Sequence, residues 1–102
     1  MRILTDRFGK KIRLTTERWR YIVHKRPILE NMRTEFEVTI KDPELIKRSV
    51  YDPEVVLYYR YFKELLGGKY VVAVIKMNDD DFVVTGYVTH RIKRGDVVWK
   101  KS

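Results

Sequence analysis

The chain has no cysteine. That excludes a disulfide framework and any zinc site built on thiolates. It has two histidines, His24 and His90, far apart and with no second ligand at helical spacing, so no metal site and no cofactor are expected. The longest apolar runs, such as "YVVAVI", fall well short of the roughly 20 residues that cross a bilayer. The opening "MRILTDRFGK" holds no apolar signal core, so the expected compartment is the cytoplasm, with no membrane role. There is no internal repeat and no low-complexity tract. Acid is in deficit: 14 Asp and Glu stand against 22 Lys and Arg, a formal charge of +8.

That excess favours anionic partners, above all nucleic acid. The plainer alternative is a charge-rich solvated surface. A length of 102 residues with 44% hydrophobic content predicts one domain, 1–102, with one core. Residues 2–5 and 10–14 read as a short hairpin around Gly9. Thr15 and Thr16 offer an N-cap, and Glu17 lies in the first turn that follows. Trp19, Ile22, Val23 and Arg26 then recur on one helical face, and Pro27 ends that helix or starts the next. Leu29, Met32, Phe36 and Ile40 continue the helical spacing to residue 40. The expected helices are therefore 16–26 and 28–40.

Beyond Pro43 the residues become β-branched and aromatic in 45–50, 55–62, 69–77 and 81–92. Asp52-Pro53, Gly67-Gly68 and "NDDD" at 78–81 separate these stretches, and a short strand closes the chain around Trp99. Short connections imply an antiparallel meander. The expected fold is α+β: two N-terminal helices packed on one face of an antiparallel sheet of about four or more strands. Trp19, Ile22, Phe36, Val84 and Val88 are its expected core.

In "FVVTGYVTHRIKRGDVVW", Phe82, Val84 and Val88 alternate with Val83, Thr85, Tyr87 and Thr89. Successive strand side chains point to opposite faces. One face is thus apolar, and the other is a hydroxyl row running into His90, Arg91, Lys93 and Arg94. The same rule puts Tyr58 and Arg60 on one face, Tyr59 and Tyr61 on the other, and Ile46 with Arg48. Arg, Tyr and Thr on an open face suit a phosphate backbone with exposed bases. An ordinary amphipathic sheet with a solvated face fits the same pattern. His24 lies among cations that disfavour its protonation, which would leave it usable as a base. His90 falls by alternation on the buried side and reads as structural. The contiguous acids of "NDDD" read as solvated turn formers.

The order "ERWRYIVHKRP", "DPELIKRS", "LYYR", "VVAVIK" and "VVTGYVTHRIKRGDVVW" resembles the phage-associated nucleases of the Barnase–EndoU–colicin–RelE-like group, from about Thr15 to Trp99. The chain departs from that pattern at Gly86, where Ala or a similar residue is usual, and in having one His on the first helix. The resemblance implies a RelE- or barnase-like fold and a small metal-independent endoribonuclease, toxin-like or tied to phage and mobile elements. RNA is the implied substrate, and an antitoxin or immunity protein is a possible partner. His24 and Arg48 are the residues it favours most. In such chemistry the neighbouring 2′-hydroxyl attacks the phosphate, with His24 as acid or base. Arg48 and Arg60 would hold the phosphate, and Thr85 and Thr89 would donate to its oxygens. Tyr58 and Tyr87 would stack on or orient a base, with Arg26 and Arg91 as further contacts. A non-catalytic RNA-binding module and a phage accessory domain are the alternatives.

Overall fold

The structure, a computed structural model, describes residues 2–102. Strands come first. β1 (Arg2–Thr5) and β2 (Lys11–Leu14) form the expected hairpin, followed by α1 (Thr16–Lys25). A 3₁₀ turn (Pro27–Asn31) and α2 (Arg33–Lys41) come next, then β3 (Leu45–Arg48), β4 (Val55–Phe62), β5 (Lys69–Lys76), β6 (Phe82–Thr89) and β7 (Val97–Lys100). The sheet has seven strands in the order β1-β2-β6-β5-β4-β3-β7. No helix among the described residues is long and apolar enough to cross a membrane.

The α+β class stands, but the expected arrangement is corrected. The helices are not N-terminal, and the sheet is mixed rather than antiparallel. β2 joins β6 in parallel through Arg13 and Phe82, a pairing that needs a long crossover. Both helices and three strands supply that crossover. β7 does not fold back on β6. It crosses the sheet and pairs antiparallel with β3 at the far edge. The expected second helix is split, with Leu29 buried in the 3₁₀ turn and Phe36, Thr39 and Ile40 buried in α2.

Local signals explain the α1 boundaries. The Thr15 hydroxyl accepts from the Arg18 amide at 3.0 Å, satisfying an orphan N–H of the first turn. At the other end Arg26 precedes Pro27 and takes φ −133°, ψ 79°, because a residue before proline avoids helical geometry.

Register decides which side chains share a face. Tyr58 pairs with Ala73, and Ala73 with Gly86; this row faces the helices. Tyr59 pairs with Val72, and Val72 with Tyr87; this row faces away. Ile22 and Phe36 are fully buried, with Trp19 and Val88 packed against them. Val84 is corrected: a bulge pairs Thr85 with Val74 but Val83 with Ile75, so Val84 is skipped. Val83 takes the core position at 1% exposure, and the Val84 carbonyl accepts from Arg18 Nη1 at 3.1 Å. One extra residue reverses the alternation.

Gly86 has a packing reason. A Cβ there would lie 2.2 Å from Cε1 of Phe36, so α2 settles on the sheet only where β6 has no side chain.

Candidate nucleic-acid interface

The sheet face away from the helices is not bare. To reach β3, residues 90–96 must cross it, and several contacts fix them there. The Lys93 amide donates to the Tyr59 hydroxyl at 3.1 Å, and Lys47 Nζ donates to the Lys93 carbonyl at 2.8 Å. The Arg48 amide donates to the Asp96 carbonyl at 2.8 Å. Gly95 has φ +149°, and a Cβ there would lie 2.2 Å from the Arg48 carbonyl oxygen, so only glycine lets the segment tuck against β3.

Beside this segment lies a cleft of about 540 Å³. Its floor is Leu57, Val74 and Thr85, one cross-strand row of β4, β5 and β6. Arg26 stands on one wall, the Ser49–Tyr51 turn on another, and Tyr87, Lys93 and Arg94 complete the lining. No acidic residue lines it. Arg26, Lys93 and Arg94 take part in no salt bridge among the described residues. Three uncompensated cations in one concavity focus a positive field on whatever enters.

Tyr87 is the most perturbed group here. Lys93 Nζ sits 5.1 Å from its ring centroid. Its hydroxyl is shielded from water without a hydrogen bond of good geometry, although the Tyr59 hydroxyl lies beside it. Burial, reinforced by Tyr59, pushes its pKa well above the usual tyrosine value, and Arg26 pulls it only partly back. Tyr87 therefore keeps its proton at neutral pH and is a donor rather than a base.

The expected site residues divide into groups. Arg26, Thr85 and Tyr87 do meet in the cleft. Arg48, Tyr58 and Arg60 do not, because the register puts them on the helix side. Tyr58 is 1% exposed, and its hydroxyl donates to buried Asp6 at 2.5 Å, so it cannot stack on a base. Burial first, then Asp6, raises its pKa far above the ordinary value. Arg60 Nη1 is spent on the Asp42 carbonyl at 2.8 Å and its carboxylate at 3.2 Å. Thr89 faces away from the helices but outside the cleft, where its hydroxyl accepts from the Arg91 amide at 3.1 Å. Arg91 is exposed and also lies outside the lining. His24 is exposed in a separate depression with Trp19, Arg20 and Glu30. His90, expected on the buried side, is exposed in the bend after β6.

Lys93, Arg94, Ser49 and Tyr51 were absent from the expected site. The cations of "HRIKRGD" were visible as the end of the hydroxyl strand. Their position over the sheet depends on β7 reaching β3, which no local pattern encodes.

Among the described residues no group of three or more His, Asp or Glu side chains is placed to hold a metal ion. The molecule is thus a basic α+β protein with a cation-lined cleft on the face of its sheet opposite the helices. Compared with known proteins, the chain matches no family model, no curated protein and no solved structure.

Proposed function

We propose that the protein acts on RNA as a metal-independent endoribonuclease, with the substrate backbone in the cationic cleft. The cleft carries this reading: Arg26, Lys93 and Arg94 converge on a hydroxyl-bearing floor with no acid in the lining. The resemblance to phage-associated nucleases supplies the reaction class. The guanidinium groups of Arg26 and Arg94 suit bidentate contact with phosphate oxygens, and Thr85 is a further donor. As the 2′-hydroxyl attacks, charge builds on the phosphorane oxygens, where fixed cations stabilise it most. No side chain in the lining has an ordinary pKa near 7. Catalysis would rest on charge stabilisation and orientation: solvent takes the 2′-hydroxyl proton as the 2′-oxygen bonds to phosphorus, the bond to the 5′-oxygen breaks, and solvent protonates that leaving oxygen. A modest rate is expected, without a histidine limb in the pH profile. Such an activity belongs in the cytoplasm, in a toxin-like or mobile-element setting. An antitoxin or immunity protein restraining it would present acidic groups to the cleft.

A second reading is RNA binding without cleavage. It is favoured by the position of His24 outside the cleft, which removes the expected acid or base. Incubating the protein with total RNA in EDTA separates the two. Fragments ending in 2′,3′-cyclic phosphate support cleavage. Binding with no fragments after long incubation leaves the binding module. Fragments formed only with added magnesium contradict the metal-independent mechanism.

A further inference from the structure

A second concavity, of about 480 Å³, opens on the helix side of the sheet, and no helix residue lines it. Its floor includes Ile46, Val56 and Tyr58, all buried. Phe8 and Trp99 form an aromatic corner, edge to face at 5.4 Å and 85°. Phe8 is 51% exposed and packs on Trp99, which itself packs against the core and carries the Arg7 guanidinium over its ring at 4.9 Å. Two cations complete the lining, Lys10 and Arg48. The side chains of both are without an ion pair or hydrogen bond among the described residues. Of the acids nearby, Glu54 lines the cavity and shares Lys76 with Asp52. Asp6 lies behind Tyr58, buried and holding three hydrogen bonds. The cavity thus offers flat aromatic surface and free positive charge together. Its size is that of a small-molecule site.

The place of this cavity matters as much as its chemistry. Ser49, Val50 and Tyr51 line the cationic cleft, whereas Pro53 and Glu54 line the second cavity. The β3–β4 turn is therefore a ridge between the two, and Tyr51 on it is 91% exposed. A single strand lying in the cleft and crossing the ridge would deliver a later nucleotide to the aromatic corner. A duplex, with its bases stacked inside, could not.

We propose that this cavity is a nucleobase subsite that takes one unstacked base against Trp99 and Phe8, with its phosphate against Arg48 and Lys10. The ligand class rests on the RNA reading, but no residue is shared with the cleft, so the two fail separately. The bound substrate is then single-stranded RNA bent over the β3–β4 turn. Arg48, which does not belong to the cleft, acquires a phosphate-binding role of its own.

The test uses adenosine monophosphate as probe and Trp99 as reporter. In a Trp19→Phe background Trp99 is the one tryptophan left, and the nucleotide should quench its fluorescence saturably. Arg48→Ala should weaken that binding about tenfold, the scale of one lost charge-assisted contact, while Arg94→Ala leaves it unchanged. In the unsubstituted protein the Trp99 indole N–H resonance should shift on the same titration, which guards against misfolding of the variant. Inorganic phosphate alone should not shift it. Absence of saturation by any nucleoside monophosphate, or equal affinity in Arg48→Ala, overturns the subsite. Intact RNA binding with no nucleotide effect at Trp99 removes the subsite and leaves the cleft. A nucleotide effect without RNA binding upholds the subsite and removes the RNA reading.

Discussion

Gly86→Ala should destabilise the fold and disturb the cleft from behind. The added Cβ would sit 2.2 Å from Cε1 and 3.0 Å from Cζ of Phe36. Phe36 is fully buried and packs on Trp19 at 5.2 Å between ring centroids, so its ring yields only by displacing packed neighbours. Forcing a methyl into a packed core costs about 1–3 kcal/mol. Alanine recovers roughly 0.5–1 kcal/mol over glycine by restricting the unfolded chain. A contact as short as 2.2 Å puts the overpacking cost in the upper half of its range, about 2–3 kcal/mol, so the net loss should be about 1–2.5 kcal/mol, and each kcal/mol lowers Tm by about 4–8 °C in a domain of this size. Urea unfolding measures the first quantity and calorimetry the second. Phe36→Leu vacates the ring edge, so the double variant should be more stable than the sum of the two single effects, by about 1 kcal/mol. RNA affinity should fall in Gly86→Ala and recover in the double variant, because Thr85 and Tyr87 flank residue 86 on the cleft face. Wild-type stability in Gly86→Ala, or strict additivity in the cycle, would refute the claim that this glycine seats α2.

Three further outcomes are expected. Of the seven tyrosines, Tyr58 and Tyr87 have folded pKa values raised by burial above the unfolded value near 10. Above that pH the unfolded chain holds fewer protons than the folded one, so stability should fall as pH rises; spectrophotometric titration should show two tyrosines ionising only as the fold is lost. Asp42→Asn should cost roughly 1 kcal/mol, because Asp42 gathers Arg7, Arg60 and Lys101 from three parts of the chain, all partly exposed. Desolvation opposes its charge, but those cations win and hold its pKa below the usual value, so this contribution should fade as pH drops below about 4; urea titrations of the variant at pH 7 and pH 3 check both statements. His24→Ala should leave RNA cleavage within about twofold of wild type in a gel assay, far from the 10²–10⁴ or so lost with a positioned acid or base.

Much of the fold was legible where the signal was local. The Thr15 cap, the break at Pro27, the first hairpin and the β3–β6 meander each rest on a few neighbouring residues. The Thr85–Tyr87–Thr89 face was correct because alternation holds from Thr85 onward. It failed at Phe82–Val84, because a bulge adds one residue without any glycine or proline to mark it. The β2–β6 and β3–β7 pairings were not legible, since partners such as Arg13 and Phe82, 69 residues apart, or Ile46 and Trp99, 53 apart, leave no local trace. That omission also split the site. Alternation correctly joined Tyr58 with Arg60 and Ile46 with Arg48, but only the cross-strand register shows that both pairs face the helices. The cleft formed instead around Lys93 and Arg94, cations carried over the sheet by the chain's path to β7.

The salt dependence of binding to a short single-stranded RNA tests the cationic cleft most directly. The three cleft cations, each neutralising one phosphate, contribute a slope of log K against log salt near −2, at about −0.7 per phosphate on a single strand, and a strand that also reaches Arg48 and Lys10 adds about −0.7 more. Fluorescence anisotropy between low and physiological salt measures it. Arg26→Ala and Arg94→Ala should each weaken binding and flatten the slope by about 0.7, whereas Arg60→Ala, whose guanidinium is held by Asp42, should change neither. Slopes unchanged in both cleft variants, or binding indifferent to salt, would contradict a phosphate-gripping cleft.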